Sequence, residues 1–217
     1  MQPMRLAGWA GILFSLLSLI VIPLVATPSA PPPVLGANGA DIAAWYAAHR
    51  TGFLIGNYLG IVAFFPGFVQ LAVLGARIRR LEGEGGWLAS LVLTTGTFGY
   101  AIFACSLILF QLLPFLPEPT EARPFGWLAA VWFALDGLAA LPVVLAVGWA
   151  TLRTGALPRW IAHLSWVVAA AALVMSLGGL TVTPAWLAGG GPATFAGFVA
   201  FFLWTFAIGV AMVRAKG

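Results

Sequence analysis

Charged residues are scarce in this chain of 217 residues. Asp, Glu, Lys and Arg together make up 7% of it, whereas hydrophobic residues make up 62%. Because a soluble domain typically carries about 25% charged residues, the charges here could not cover the surface of a water-soluble fold. The scarcity excludes an ordinary soluble domain and indicates a chain that lies in lipid.

Side chains that bind metals or carry out catalysis are also rare. Cys105 is the single cysteine, so neither an intramolecular disulfide nor a cysteine metal cluster can form. The two histidines, His49 and His163, lie at opposite ends of apolar stretches, and a hydrocarbon core of about 30 Å would hold them too far apart to share one haem iron. Walker loops and nucleophile elbows are absent from the sequence. We therefore predict no metal, no cofactor and no conventional catalytic residue.

Six long apolar stretches make up most of the chain. About 20 residues cross a hydrocarbon core as an α-helix, and each stretch is at least that long. A helix satisfies its own backbone polar groups, which lipid cannot do. The sequence predicts an all-α, polytopic membrane protein, a six-transmembrane-helix bundle in one integral membrane domain, with helices at about 6–26, 52–76, 87–113, 125–152, 158–180 and 193–213.

The basic residues are distributed unevenly between the two sides of this pattern. Arg50 and Arg123 lie on one side, and eight Lys and Arg residues lie on the other: Arg5, Arg77, Arg79, Arg80, Arg153, Arg159, Arg214 and Lys216. Basic residues in short loops stay cytoplasmic during insertion, so we predict an N-in/C-in topology. The pI near 10.0 is then explained by loop charges that face anionic lipid headgroups, and no nucleic-acid partner is needed.

The first span and the loop after it need separate interpretation. Leu6 to Val25 exceeds the roughly 7–15 apolar residues of a secretory signal peptide, so we expect this span to be retained. The external loop 27–51 is the longest, and we predict a short amphipathic helix at about 41–49. Ile42, Trp45, Tyr46 and His49 would share its apolar face.

An aromatic face of this kind suits the membrane interface, so Trp45, Tyr46 and His49 are predicted interfacial residues. The alternative is that 41–49 extends the second span at its N-terminus. Another external segment, Pro114–Pro124, contains Glu118, Glu121 and Arg123 and is expected to be a solvated loop.

Asp136 is the only acidic residue well inside a predicted span. A charge at that depth costs about 3 kcal/mol even on the lenient insertion scale, so such a residue suggests a functional site by default. It could carry a proton, bind a cation or contact a polar group of a substrate. Pro142, six residues further on, removes one helix hydrogen bond and could open the local backbone.

The alternative for Asp136 is a structural hydrogen bond to a neighbouring helix. We expect its side chain to face the bundle interior, with Tyr100 or Asn57 as the first-choice partner. Other polar residues of the second and third spans are further candidates: Gln70, Thr94, Thr95, Thr97 and Ser106. The predicted ligand-binding or proton-binding set is therefore Asp136, Tyr100 and Asn57.

Two short segments resemble parts of known sequences. The hairpin Gly148–Trp160 (GWATLRTGALPRW) and the early Arg5–Gly11 (RLAGWAG) resemble segments of uncharacterised six-span integral membrane proteins of high-GC bacteria. The resemblance implies a six-helix bundle in a bacterial inner membrane. It implies no activity and no functional residues.

Three function classes are compatible with these observations. The first is a non-enzymatic integral membrane component that packs against lipids, a membrane-protein partner or further copies of itself. The second is a small transporter or ligand-binding protein that uses Asp136. The third is a membrane-embedded enzyme that acts on a lipid or isoprenoid, with Asp136 as general acid. A second acidic group or histidine near Asp136 would favour the enzyme, and the sequence offers none.

Overall fold

The computed structural model describes residues 3–25, 37–116, 118–177 and 192–215. Within these ranges the chain is helical and contains no β-strand. The helices are α1 (Pro3–Val25), α2 (Gly39–Ala48), α3 (Arg50–Glu82), α4 (Leu88–Leu112), α5 (Pro119–Thr154), α6 (Arg159–Leu177) and α7 (Pro192–Arg214). All of them except α2 are long and apolar enough to cross a membrane. The predicted all-α, six-span, multi-pass membrane fold is confirmed.

The longest helices, α3 and α5, extend beyond the lengths expected from the apolar stretches. Their 33 and 36 residues correspond to about 50 Å at 1.5 Å per residue, more than a hydrocarbon core of about 30 Å.

The helix α5 begins at Pro119, so the second half of the segment Pro114–Pro124 is helical and the expected loop is wrong there. Proline suits the first turn of a helix because its missing N–H would have had no partner.

The six spans form a closed ring in the order of the chain. Each span packs against the next, and α7 packs against α1. Glycines let this closing pair approach closely, since a Cβ atom on Gly8 would lie 2.6 Å from the Gly209 carbonyl oxygen. Small residues at helix contacts are usual where lipid, and not water, surrounds the bundle. The ring therefore has an interior to which every span can contribute side chains.

Hydrogen bonds connect the hairpins at the arginine-rich end of the ring, which carries Arg77 and Arg153. The Glu82 carboxylate accepts hydrogen bonds of 2.8 Å from the backbone N–H groups of Leu88 and Ala89. It thereby caps the N-terminus of α4, where a negative charge is stabilising. Arg77 Nε donates to the Ala156 carbonyl oxygen at 2.8 Å and joins the two hairpins. Which side of a membrane this end faces stays a prediction.

The short helix α2 lies at the opposite end of the ring. Asn38 caps it, because its Oδ1 accepts a hydrogen bond of 2.8 Å from the Asp41 backbone N–H. The helix ends at Ala48, and α3 begins at Arg50 after a break at His49. The segment is thus a helix separate from α3.

Candidate functional site

A cleft opens in the interior of the ring. Its empty space is about 500 Å³ when the part that is open to the surroundings is included. Every span contributes to its wall: Phe14 comes from α1, Phe64 from α3, Tyr100 from α4, Asp136 from α5, Met175 from α6 and Phe202 from α7. The cleft therefore lies on the central axis of the ring and exists only when all six spans are assembled.

Seven aromatic side chains, called here the aromatic cluster, form much of the wall: Phe14, Phe64, Tyr100, Phe103, Phe198, Phe201 and Phe202. Their ring centroids lie close together, at 5.4 Å for Phe14 and Tyr100, 5.3 Å for Phe103 and Phe198, and 4.6 Å for Phe198 and Phe202. Tilted and edge-to-face pairs at such distances are mutually attractive. This cluster could not be predicted from the sequence, because phenylalanines in a span show no sign of whether they face lipid or the interior.

Asp136 lies at the edge of the same cleft. Its side chain is 5% exposed, and Ser106 Oγ of α4 lies 2.8 Å from both carboxyl oxygens. One turn earlier, Trp132 Nε1 donates to the Ile102 carbonyl oxygen at 3.3 Å. The two bonds join α5 to α4, and they place the carboxyl group between a helix contact and the cleft.

Ser106 is the partner of Asp136, and the first-choice partners Tyr100 and Asn57 are not. Ser106 lies seven residues after Gly99, so the two share one face of α4. Gly99 is where α4 approaches α5 closely, since a Cβ atom there would lie 3.0 Å from the Ala139 carbonyl oxygen. The spacing of Gly99 and Ser106 is a sequence signal that could have identified this partner.

Tyr100 lies about 100° further around α4, on the side towards α3. Its ring packs against Phe64 and Phe68 at centroid distances of 5.5 and 5.2 Å. The phenol forms no hydrogen bond with Asp136, but both residues line the cleft. The structure thus brings Tyr100 and Asp136 to one cavity without a direct bond.

Asn57 belongs to α3, which does not pack next to α5 in the ring. It is buried, and its Nδ2 atom has no hydrogen-bond partner in the described part of the protein. Gly60, one turn away, faces Leu107 of α4. Asn57 is not one of the residues that line the cleft, and it forms no hydrogen bond with Asp136, so of the three predicted site residues only Tyr100 and Asp136 share the cavity.

A second group of buried polar side chains, called here the polar network, joins α1, α3 and α7. Gln70 Nε2 donates to the Thr205 carbonyl oxygen at 3.0 Å, and Ser15 Oγ lies 2.8 Å from Thr205 Oγ1. Ser15 also donates to the Gly11 carbonyl oxygen, and Thr205 donates to the Phe202 carbonyl oxygen. We had not singled out Ser15 or Thr205, because single hydroxyls in a span commonly bond to their own helix.

The predicted interfacial residues Trp45, Tyr46 and His49 lie on α2, and part of the helix face that contains them packs against the bundle. Ile42 and Tyr46 are buried in a cluster with Phe53, Leu113 and Ala122, and burial raises the pKa of the Tyr46 phenol above its ordinary value of 10.0. Trp45 and His49 are partly buried and stack on each other, with ring centroids 4.4 Å apart. The face that includes Ile42 therefore docks α2 onto the bundle, and the interfacial location of Trp45, Tyr46 and His49 stays a prediction.

The remaining comparisons concern metal sites and known proteins. Among residues 3–25, 37–116, 118–177 and 192–215, no three His, Cys, Asp or Glu side chains are grouped as a metal ion would require. Comparison of the chain with protein-family models, with curated proteins and with solved structures finds no match.

Proposed function

We propose that the protein is a non-enzymatic integral membrane component that binds a small ligand in the cleft beside Asp136. One observation carries the proposal: the only acidic residue deep within a span borders a cavity to which all six spans contribute. An interior lined by apolar groups with few polar ones is the usual form of a small-molecule site. Lipids and a second membrane protein or another copy of the chain are the further partners that we propose.

The hydrogen bond from Ser106 occupies only part of the acceptor capacity of the Asp136 carboxyl group. Two carboxyl oxygens offer about four acceptor positions, and one hydroxyl supplies one proton. No other donor in the described residues bonds to this group. The carboxyl group is therefore held against α4, and the wall that a molecule in the cleft would touch is almost entirely apolar.

The other two function classes have less support. A component that only packs against lipids or subunits does not need a cavity on its axis, although it is compatible with the Asp136–Ser106 bond. An enzyme would need a second group that exchanges protons beside Asp136. Tyr100 is the only other lining residue with a hydroxyl or carboxyl group, so ligand binding fits the cleft better than acid–base chemistry.

Binding of two simple probes tests the proposal. Radiolabelled 2-phenylethanol and 2-phenylethylammonium would be dialysed against lipid nanodiscs that contain the purified protein, and empty nanodiscs would correct for partition into lipid. We expect at least one probe to bind saturably. Ala140→Phe fills the cleft and should abolish this binding, whereas Leu138→Phe, on a position that is 46% exposed on the same helix, should leave it unchanged.

Two results would contradict ligand binding in the cleft. One is the absence of saturable binding of both probes to the wild-type protein, which would favour the packing component. The other is equal binding to the wild-type protein and to a correctly folded Ala140→Phe variant, which would place the probes elsewhere. Ala140→Leu is the milder replacement if phenylalanine prevents folding, which circular dichroism would show.

We also propose that the arginine-rich end faces the cytoplasm of a bacterial cell, with the protein in the inner membrane. The excess of arginine at the α3–α4 and α5–α6 hairpins supports this orientation. With Cys105 replaced by Ala, a membrane-impermeant thiol reagent added to intact cells should label Ala37→Cys and not Gly83→Cys. Labelling of Gly83→Cys in intact cells would overturn the orientation.

A further inference from the structure

We propose that the cleft and a smaller pocket beside it together bind one uncharged long-chain lipid: an apolar chain that carries a single hydroxyl or carbonyl group. This inference rests on the proposed ligand-binding function and specifies the class of ligand. It is drawn from three observations: the length of the two cavities along the ring axis, their apolar wall, and the hydrogen bonds of the polar side chains that line them.

The first argument concerns length. Tyr100, Val143 and Phe201 line both cavities, so the cleft and the smaller pocket meet at these side chains. The inner face of α7 borders the cleft at Phe198 and the smaller pocket at Ile208. A separation of ten residues corresponds to about 15 Å at 1.5 Å per residue, which is half of a hydrocarbon core of about 30 Å. Together the two cavities therefore have about the length of one lipid chain in a single leaflet.

The second argument concerns the polar side chains of this combined wall. Five of them carry hydrogen-bonding groups: Gln70, Tyr100, Asp136, Trp204 and Thr205. Asp136 is bonded to Ser106, and Trp204 Nε1 donates to Ser165 Oγ at 2.9 Å. Gln70 and Thr205 are bonded within the polar network.

Tyr100 differs from the other four. It is 8% exposed, and its hydroxyl group forms no hydrogen bond within the described part of the protein. A hydroxyl group without a partner in apolar surroundings is unfavourable, so an oxygen atom that accepts its proton would be stabilised there. Because Tyr100 lines both cavities, it offers the ligand one hydrogen bond near the middle of the combined site.

The third argument concerns the apolar wall. The aromatic cluster borders the cleft, and Leu71, Leu74, Val147 and Ile208 border the smaller pocket. A charged group or a sugar would lose its hydrogen bonds to water here without replacement. Lipid tails are as apolar as these side chains, so burial alone would not draw a chain out of the bilayer. A chain that fills the cavities would instead gain van der Waals contacts that an unfilled space forgoes.

Photolabelling of the purified protein in lipid nanodiscs tests this inference. The probe is 1-dodecanol with a diazirine at the far end of its chain, and mass spectrometry of peptides would locate its attachment. We expect labelling on the inner faces of α5 and α7, within 136–147 and 198–208, and we expect excess unlabelled 1-dodecanol to suppress it.

Dodecane has the same chain without the oxygen atom and tests the contact with Tyr100. At equal mole fraction in the lipid, 1-dodecanol should suppress labelling about fivefold more effectively than dodecane, the ratio that one net hydrogen bond typically gives. Tyr100→Phe should abolish this difference. Tyr58→Phe makes the same change at a position of α3 that is 65% exposed, and it should keep the difference.

Ile208→Phe tests the length of the site, because it fills the smaller pocket. We expect it to reduce labelling by the 1-dodecanol probe about tenfold through overpacking. Binding of 2-phenylethanol, which needs only the cleft, should not change. Leu203→Phe lies on the same helix at a position that is 52% exposed and should change neither quantity.

The outcomes distinguish this inference from the proposed function. If 2-phenylethanol binds but 1-dodecanol neither displaces it nor labels the inner faces of α5 and α7, the cleft binds ligands and the long-chain class is wrong. Tighter binding of 2-phenylethylammonium than of 2-phenylethanol would overturn the uncharged class. If neither the short probes nor 1-dodecanol bind saturably, the proposed function fails as well. Should Tyr100→Phe not fold, the comparison of 1-dodecanol with dodecane on the wild-type protein still decides, and equal suppression would contradict the proposed hydrogen bond.

Discussion

The interior of the ring contains two polar regions that differ in how their side chains are used. In the polar network, Gln70, Ser15 and Thr205 bond to one another or to backbone carbonyl oxygens of α1 and α7. At the other region, the Asp136 carboxyl group has the Ser106 hydroxyl as its donor and borders the cleft. Both regions border a cavity, because Gln70 and Thr205 line a second, smaller pocket that shares Tyr100 with the cleft. The difference is that the first region joins three helices, α1, α3 and α7, whereas the second joins α4 and α5.

Glycine plays a different part in each region. Gly11 leaves room for the side chain of Gln70, which lies over it. Gly137, beside Asp136, instead leaves room for the backbone of α6 at Ala172. When a glycine is replaced by a larger residue, a neighbouring side chain can move aside. A neighbouring helix backbone can move only if the whole contact between the two helices shifts. The glycine next to Asp136 therefore allows a contact between helix backbones, whereas Gly11 accommodates a side chain of the polar network.

The largest effect is expected from Gly137→Ala. The added Cβ atom would overlap the Ala172 carbonyl oxygen and approach the Ser176 backbone nitrogen at 3.1 Å. Overpacking of this kind typically costs about 1–3 kcal/mol, and we expect that loss in the free energy of unfolding. Denaturant titration of the purified protein in mixed micelles would measure it.

Leu138→Ala is the control for Gly137→Ala. Leu138 is the next residue of α5 and is exposed on the outer surface of the ring, so its truncation should have a smaller effect on unfolding. Equal stability of Gly137→Ala and the wild-type protein would mean that α5 and α6 are further apart than described. It would also mean that Gly137 and Gly11 do not differ in the kind of group for which they leave room.

A smaller effect is expected from Gln70→Met, which keeps the length of the side chain but removes the hydrogen bond to the Thr205 carbonyl oxygen. Hydrogen bonds between membrane helices contribute about 0.6 kcal/mol on average, and we expect a loss of stability of that size. Gln70 lines a smaller pocket that adjoins the cleft at Tyr100, so we expect affinity for the two probes to change much less than in Ala140→Phe. The same titration and dialysis would measure both quantities.

Arg79→Met is a control outside the membrane interior, since it removes only the exposed hydrogen bond to Ser90. A large change of probe affinity in Gln70→Met, without a change in Arg79→Met, would contradict the comparison. It would show that the polar network and the Asp136 region act as one site.

The helices themselves could be predicted closely, but the partners of their side chains could not. The fifth helix was expected at about 125–152 and extends over Pro119–Thr154, because hydropathy marks the lipid-crossing part and not the turns that project beyond it. Asp136 was identified from depth alone. Its partner Ser106 was one of several candidates, because matching depth leaves open which face of α4 meets α5.

The sequence by itself determined the class of the protein. Backbone polar groups in lipid must bond within their own segment, so long apolar stretches imply helices whatever their neighbours are. Tertiary structure decided the order of the ring, the bond between Asp136 and Ser106, and the presence of a cleft walled by six spans. These features depend on the rotation of each helix about its axis, which is set by contacts between residues that are distant in the chain, such as Ser15 with Thr205.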